Sequence, residues 1–232
     1  MSFYHDFSFY YDQIFPVQPQ TISCLKELFI PNSRVLDIGC GAGGYAIALS
    51  KLGYRLDAID FDEKMIELAK KKHSSVHFET KDMLEMEAFE WYQGIYCIGN
   101  TLVHLSSLAQ IRLALANVFD ALQSGGQFVL QIINYDRVLD SFVDHLPTIK
   151  ANDFELIRNY EYTQGKILFN TILKTPEGIF ENAVPLVPIR QYELFQMMTE
   201  IGFKEVRSYG TFASGPFDIE HSMMLVMKGK KA

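Results

Sequence analysis

Asp37, Gly39, Gly41, Gly43 and Gly44 fall within one stretch, VLDIGCGAGGY, at residues 35–45. Glycines at this spacing let a ligand approach the backbone closely, because no Cβ stands in the way. A helix starting just after them offers free N–H groups and the positive end of its dipole. Two templates fit. Gly39, Gly41 and Gly44 complete G-x-G-x-x-G, which seats the diphosphate of a dinucleotide. Asp37, Gly39, Gly41 and Gly43 complete D-x-G-x-G-x-G, the pattern of enzymes that bind S-adenosylmethionine. The glycines by themselves leave hydride transfer and methyl transfer both open.

Three carboxylates bear on the choice. Asp37 would repel a diphosphate but suits a ligand carrying sulfonium and ammonium charge. It could equally tie down the loop by accepting backbone N–H bonds. Asp60 ends the second strand candidate, 21 residues after Gly39. A carboxylate there accepts from ribose hydroxyls in either cofactor class. Asp82-Met83 follows the third strand candidate. Such an Asp can accept from an adenine amino group while Met packs on the ring, or the pair is a loop acid beside a core methionine.

Other side chains could act on a substrate. Tyr10 and Tyr11, in FYYDQIFP, offer faces for cation–π attraction and hydroxyls to orient an amine, or simply an aromatic anchor. Phe7, Phe9 and Phe15 fit core packing better than a pocket wall. His104 titrates in the range of a general base, but it also precedes a helix start, where a structural role fits as well. Asn134 cannot act as a base; it can hold an amine or a carboxylate by hydrogen bonds. Arg190 could clamp a carboxylate bidentately or be a surface arginine, with Arg137 and Arg158 as lesser candidates. No metal-ligand cluster is visible, so no metal is expected. The absence of an N-P-P-Y-like tetrad disfavours base-flipping chemistry.

Alternating elements must position these groups. Strands are expected at 34–38, 55–59, 76–80, 95–98 and 127–133. Helices are expected near 20–29, 43–52, 63–72 and from Ser107 to about Leu122. Asp62 is an N-cap candidate, and Ser107 with Gln110 has capping-box spacing. This rhythm predicts a doubly wound, three-layer α/β sandwich on a mostly parallel sheet. After Asn134 the pattern changes to strands at 154–163, 166–175 and 179–187, an antiparallel meander. The α/β rhythm then resumes with a helix at 191–201 and strands near 205–208 and 222–227. The reading is one domain over 1–232, with an aromatic, helical cap at 1–30. The insertion at 135–190 leaves from the ligand-binding edge, as a substrate cover would.

The 232 residues are 48% hydrophobic and carry a net charge of -7, which suits a globular domain and disfavours a polynucleotide partner. No apolar run spans a bilayer and no secretory layout opens the chain. Cys24, Cys40 and Cys97 show no framework spacing, which points to a reduced, cytoplasmic setting. Oligomeric state is not legible here.

VLDIGCGAGG, AIDFD and KDM, in this order and spacing, resemble the class I S-adenosylmethionine-dependent methyltransferases over most of the chain. The resemblance implies a Rossmann-like, seven-stranded sheet with an antiparallel last strand. It implies S-adenosylmethionine as cofactor and S-adenosylhomocysteine as product. It puts Tyr10, Asp37, Gly39, Cys40, Gly41, Asp60, Phe61, Asp82 and Met83 around the cofactor. A narrower likeness follows. GNTLVHL at 99–105 with NYD at 134–136 is similar to the glycine- and sarcosine-type small-molecule N-methyltransferases. It adds Asn100, Thr101 and Leu105 at the methionine end and implies that Asn134 faces the amine acceptor; Tyr11, His104 and Arg190 join it as catalytic candidates on their own chemistry. The family's basic pair before N-Y-D is Ile132-Ile133 here, and Gln93 stands where an Asp is common. The likeness therefore carries to an amine acceptor, not to glycine itself. Methyl transfer by in-line displacement is the expected reaction. An NAD(P)-dependent oxidoreductase and an oxygen-directed methyltransferase are the alternatives.

Overall fold

The computed structural model describes residues 10–72, 75–163 and 165–232. Phe7 and Phe9, with the first nine residues of the expected cap, lie outside the described residues. Two sheets organise the rest. The larger is built from β1 (Arg34–Ile38), β2 (Arg55–Asp60), β3 (His77–Thr80), β4 (Tyr92–Cys97), β5 (Leu122–Ile133), β10 (Lys204–Tyr209) and β11 (Met224–Lys230). Its order is β10-β11-β5-β4-β1-β2-β3. β11 runs antiparallel to both neighbours, while β1 to β5 pair in parallel. The expected seven-stranded sheet with its reversed last strand is present.

Side chains on each strand alternate between two cores, as the strand period of two requires. Leu36, Ile95, Phe128, Leu130 and Leu225 face one core, together with Ile111, Leu115 and Val118 of α4 (Leu108–Ala121) and Leu194 and Met198 of α6 (Gln191–Ile201). Val35, Tyr96, Val129 and Val226 face the other. That core also holds Leu25 of α1 (Pro19–Leu28), Leu49 of α2 (Gly44–Ser50) and Ile66 of α3 (Glu63–Lys72). Every residue of β4 is buried, as befits a strand covered on both faces. Each fully buried aliphatic side chain contributes about 1.5–3 kcal/mol relative to exposure.

The helix boundaries follow local chemistry. Asp62 Oδ1 accepts from the N–H groups of Lys64 and Met65, so it caps α3 as expected. Ser107 Oγ accepts from Gln110 N at 3.3 Å. Gln110 Oε1 reaches back to Ser106 N and Oγ instead of closing the box on Ser107. β5 begins earlier than expected, at Leu122, with a register shift against β4 around Gly94.

The second sheet is four-stranded, in the order β6-β7-β8-β9, all antiparallel. β7 (Glu155–Thr163), β8 (Lys166–Thr175) and β9 (Gly178–Leu186) match the expected meander. β6 (His145–Lys150) was not legible because Pro147 interrupts it. Proline is tolerated at a sheet edge, where β6 lies. A short helix, α5 (Tyr135–Asp140), precedes it, capped by Asn134 Oδ1 accepting from Arg137 N.

Candidate functional site

Strand order progresses in opposite directions from β1, toward β2 on one side and β4 on the other. The crevice at such a switch point is where open α/β sheets bind ligands. The loops after β1 and β4 meet there. Gly39, Gly41 and Gly43 all have positive φ, at +71°, +52° and +79°. Their loop is strapped to β2 by Gly39 and Cys40 N–H groups donating to Ile59 O at 2.8 and 3.0 Å. A methyl on Gly39 would lie 2.2 Å from Thr101 Cγ2, and one on Gly41 would lie 2.2 Å from Tyr11 Oη. The glycines are therefore required by the side chains that close over them.

Asp37 is 3% exposed, and its carboxylate accepts from Tyr96 Oη at 2.9 Å. Burial pushes it up to about 7; the Tyr96 bond opposes the rise and the Asp60 charge adds to it. Asp60 Oδ2 accepts from Gly41 N at 2.8 Å, and Oδ1 from Asp62 N at 3.0 Å. Burial raises its pKa, and those backbone bonds pull it back. Cys40 is buried, and its thiol is pushed far up by desolvation. Phe61 is 70% exposed at the rim. Asp82 is also exposed, with Oδ1 capping the turn Met83–Glu85 through Leu84 N, and Met83 is half-buried against the core.

On the β4 side, Asn100 sits at φ +68°. Its Oδ1 accepts from Ile133 N at 3.0 Å, and its Nδ2 donates to Tyr135 Oη at 3.0 Å. Thr101 Oγ1 donates to Ile98 O, and Leu105 is half-buried against the core. His104 is open to solvent on one side and crowded on the other; lost hydration lowers its pKa.

The N-terminal segment roofs the glycine loop. Tyr10, 5% exposed, donates to Glu177 Oε2 at 2.9 Å and packs 5.4 Å from Phe154. Asp12 pairs with Lys72, whose Nζ also donates to Ala42 O. Tyr10, Ile14, Ala42, Met65, Phe154 and Leu173 form one small core. It ties the roof to the loop, to α3 and to the second sheet. Tyr11 lies beneath this roof, its phenol held protonated by burial and by the charges of Asp60 and Asp37.

Two expected acceptor residues lie in structural networks. Asn134 is fully buried, and its Nδ2 donates to Ile219 O and Ser222 O, both at 2.9 Å. Arg190 holds Asp140 at 2.7 Å and Asp136 at 3.3 Å, while Asp136 also accepts from Gln191 N. That arrangement fastens the start of α6 to α5. Gln93 is likewise structural: its Oε1 accepts from Ile30 N and Ser33 Oγ. Sequence reasoning missed Tyr96 beneath Asp37, Tyr135 beside Asn100 and Glu177 above Tyr10. Each is a tyrosine or acid whose partner is at least 35 positions away. No local spacing marks them.

The donor and acceptor set fits S-adenosylmethionine. That molecule offers an ammonium, two ribose hydroxyls and an adenine amino group, all donors. Asp37, Asp60 and Asp82 stand in and just beyond the ends of β1, β2 and β3, which are neighbours in the sheet. A diphosphate on the glycine loop would instead face the Asp37 carboxyl group.

Comparison with known proteins agrees. Residues 35–126 match the family described as Methyltransferase domain. The chain is 24% identical over 185 residues to the glycine/sarcosine N-methyltransferase of Aphanothece halophytica, covering 77% of this chain and 69% of that protein. It is 28% identical over 127 residues to the glycine N-methyltransferase of Homo sapiens, covering 47% of this chain. That match spans 43% of the human protein, less than half its length. An S-adenosylmethionine-dependent methyltransferase from Clostridium acetobutylicum ATCC 824 shares the fold over the full length of both chains, with a TM-score of 0.83 at 12% identity. The glycine loop, the acids at the strand ends and the reversed last strand thus resolve the choice between hydride and methyl transfer: this chain is a class I S-adenosylmethionine-dependent methyltransferase.

Proposed function

We propose that the chain methylates the nitrogen of a small amine. S-adenosylmethionine supplies the electrophilic methyl group on its sulfonium. The chain's residues bind, orient and exclude water, a contribution that for aligned reactants reaches about 7–11 kcal/mol of barrier. In this reading the Gly39–Gly41 backbone and Asp37 hold the methionine end, with Asn100, Thr101 and Leu105 beside it. Asp60 takes the ribose hydroxyls, and Asp82 with Phe61 and Met83 takes the adenine. Tyr10 and Tyr11 close the roof.

The observation that carries the amine is that the tyrosines and the histidine around Asn100 are poorly suited to deprotonate a hydroxyl. The Tyr135 and Tyr160 phenols are held protonated by burial. His104 is a weakened base because its charged form is desolvated. A neutral amine presents its lone pair without a strong base, whereas a hydroxyl needs one. The names of the relatives from Aphanothece halophytica and Homo sapiens, both N-methyltransferases, support the same class.

The test is formation of S-adenosylhomocysteine with a panel of amines, alcohols, phenols and carboxylic acids, the product identified by mass. Turnover confined to amines is expected. Turnover confined to oxygen acceptors would overturn the reading.

A further inference from the structure

Asp37 and Tyr96 stand opposite each other on β1 and β4, and their side chains share one face of the sheet. Both are buried, at 3% and 0% exposure, and the Tyr96 hydroxyl donates to Asp37 Oδ2 at 2.9 Å. Among the described residues no other side chain hydrogen-bonds Asp37; the Ala46 N–H at the start of α2 adds a backbone donor. The Asp60 carboxyl group faces it from β2. Cys40 of the glycine loop, Cys97 of β4 and Tyr11 of the N-terminal segment are also near, and burial keeps all three protonated. Among the described residues no lysine, arginine or histidine acts on Asp37.

As packing alone, the pair is costly. A buried carboxyl group and a buried hydroxyl both lose hydration, and an apolar pair of the same shape would avoid both losses. The tyrosine is nonetheless fixed from behind. Phe29 stacks on its ring with centroids 6.3 Å apart, and a methyl on Gly94 would lie 2.5 Å from Phe29. The hydroxyl stays protonated, because burial and the Asp37 charge hold its pKa well above the usual range. It therefore serves Asp37 as a neutral donor, and a donor to the charged form favours that form. Burial and the Asp60 charge resist ionisation of Asp37; Tyr96 is the stronger of the two donors that support it. Asp37 also stands two residues before Gly39, where the cofactor loop begins.

We propose that Tyr96 is a positioning residue for the cofactor: its hydroxyl fixes the Asp37 carboxylate and keeps it ionised near neutral pH, ready for the ammonium of the methionine end. Fully buried, the hydroxyl reaches no ligand itself and works through Asp37. The consequence is a pH threshold for cofactor binding, set by a residue 59 positions from the acid it controls. This role rests on the reading that Asp37 holds the methionine end; it is independent of what the acceptor is.

The test is calorimetric binding of two probes to the full chain from pH 6 to 9. S-adenosylhomocysteine carries the ammonium; 5′-methylthioadenosine keeps the ribose and adenine and lacks it. Tyr96→Phe keeps the ring and removes the donor. Its affinity for S-adenosylhomocysteine should fall about fivefold at pH 7, as a rise of about one pH unit in the Asp37 midpoint requires. By pH 9 it should return to within about twofold of wild type. Affinity for 5′-methylthioadenosine should stay within about twofold throughout, which shows that the variant is folded. A merely structural tyrosine would weaken both probes together and leave the midpoint in place, and that result overturns the proposal. On an Asp37→Asn background, Tyr96→Phe should change S-adenosylhomocysteine affinity by less than about twofold, because the group it acts through is gone. A further loss there overturns the proposal, and this comparison serves if the single variant does not fold. If Asp37→Asn weakens binding and Tyr96→Phe does not, the role of Tyr96 fails and the reading of Asp37 stands. If Asp37→Asn binds S-adenosylhomocysteine like the wild type at every pH, the reading of Asp37 fails and takes the role of Tyr96 with it.

Discussion

Replacing Asp37 by Asn tests the electrostatics beneath the glycine loop. The substitution keeps an oxygen to accept from Tyr96 and removes only the ability to ionise. Burial raises Asp37 from 3.8 to about 7. Its folded pKa therefore exceeds its unfolded value, and the native state keeps a proton that the unfolded chain has already lost. The stabilisation from this group is full below pH about 4 and disappears as pH rises to about 7. At about 1.4 kcal/mol for each pH unit, the whole interval amounts to roughly 4 kcal/mol. The part between pH 5 and 7 is about 3 kcal/mol. Asp140 titrates in the opposite direction but is the same in the two proteins and cancels in the difference, whereas Asp60, whose charge acts on Asp37, cancels only in part. Denaturant unfolding of wild type and Asp37→Asn at pH 5, 6, 7 and 8 measures it. The variant should gain on the wild type by about 1.4 kcal/mol per unit up to pH 7 and then hold level. A difference that stays constant from pH 5 to 8 would refute the reasoning, because Asp37 would then not be desolvated. A second readout follows from the ammonium of S-adenosylhomocysteine. Wild-type affinity should rise between pH 6 and 8, and Asp37→Asn should bind more weakly with no such slope.

Gly41→Ala puts a methyl 2.2 Å from Tyr11 Oη at φ +52°. It should lower S-adenosylhomocysteine affinity at least tenfold by calorimetry. In a Tyr11→Ala background most of the stability penalty should vanish, leaving about 1–2 kcal/mol for the left-handed backbone. Asn134→Ala removes a helix cap and the buried amide that donates to the Ile219 and Ser222 carbonyls, so it should cost about 2–4 kcal/mol in denaturant unfolding. Retention of wild-type stability by that variant would show that the network is not structural.

Much of the architecture follows from local chemistry. The buried strands 34–38 and 55–60, the helix capped by Asp62 and the helix at 191–201 are each announced by their own residues, through apolar runs, caps and stops. The acids at the strand ends are equally legible, because a strand that ends in Asp before a helix has one edge to point toward. The edge strand β6 was hidden because a strand that pairs on one side needs no continuous pattern and tolerates Pro147. The short α5 was hidden because six residues are too few to show a helical period.

The site divides along the same line. The sequence by itself determined the cofactor loop, since positive φ at Gly39, Gly41 and Gly43 is a property of those residues and their immediate turn. It could not determine what Asn134 and Arg190 do. An asparagine or arginine can bond to a substrate or to the protein, and the partners that decide are 85 and 50 positions distant. Only the tertiary structure brings Tyr96 under Asp37, lays Tyr11 on Gly41 and, among the described residues, leaves the buried Arg137 Nε, Arg158 Nε and Tyr160 Oη atoms without a hydrogen-bond partner. Hydrogen-bond satisfaction is a property of a completed fold: it depends on which distant groups arrive, and no spacing along the chain records that.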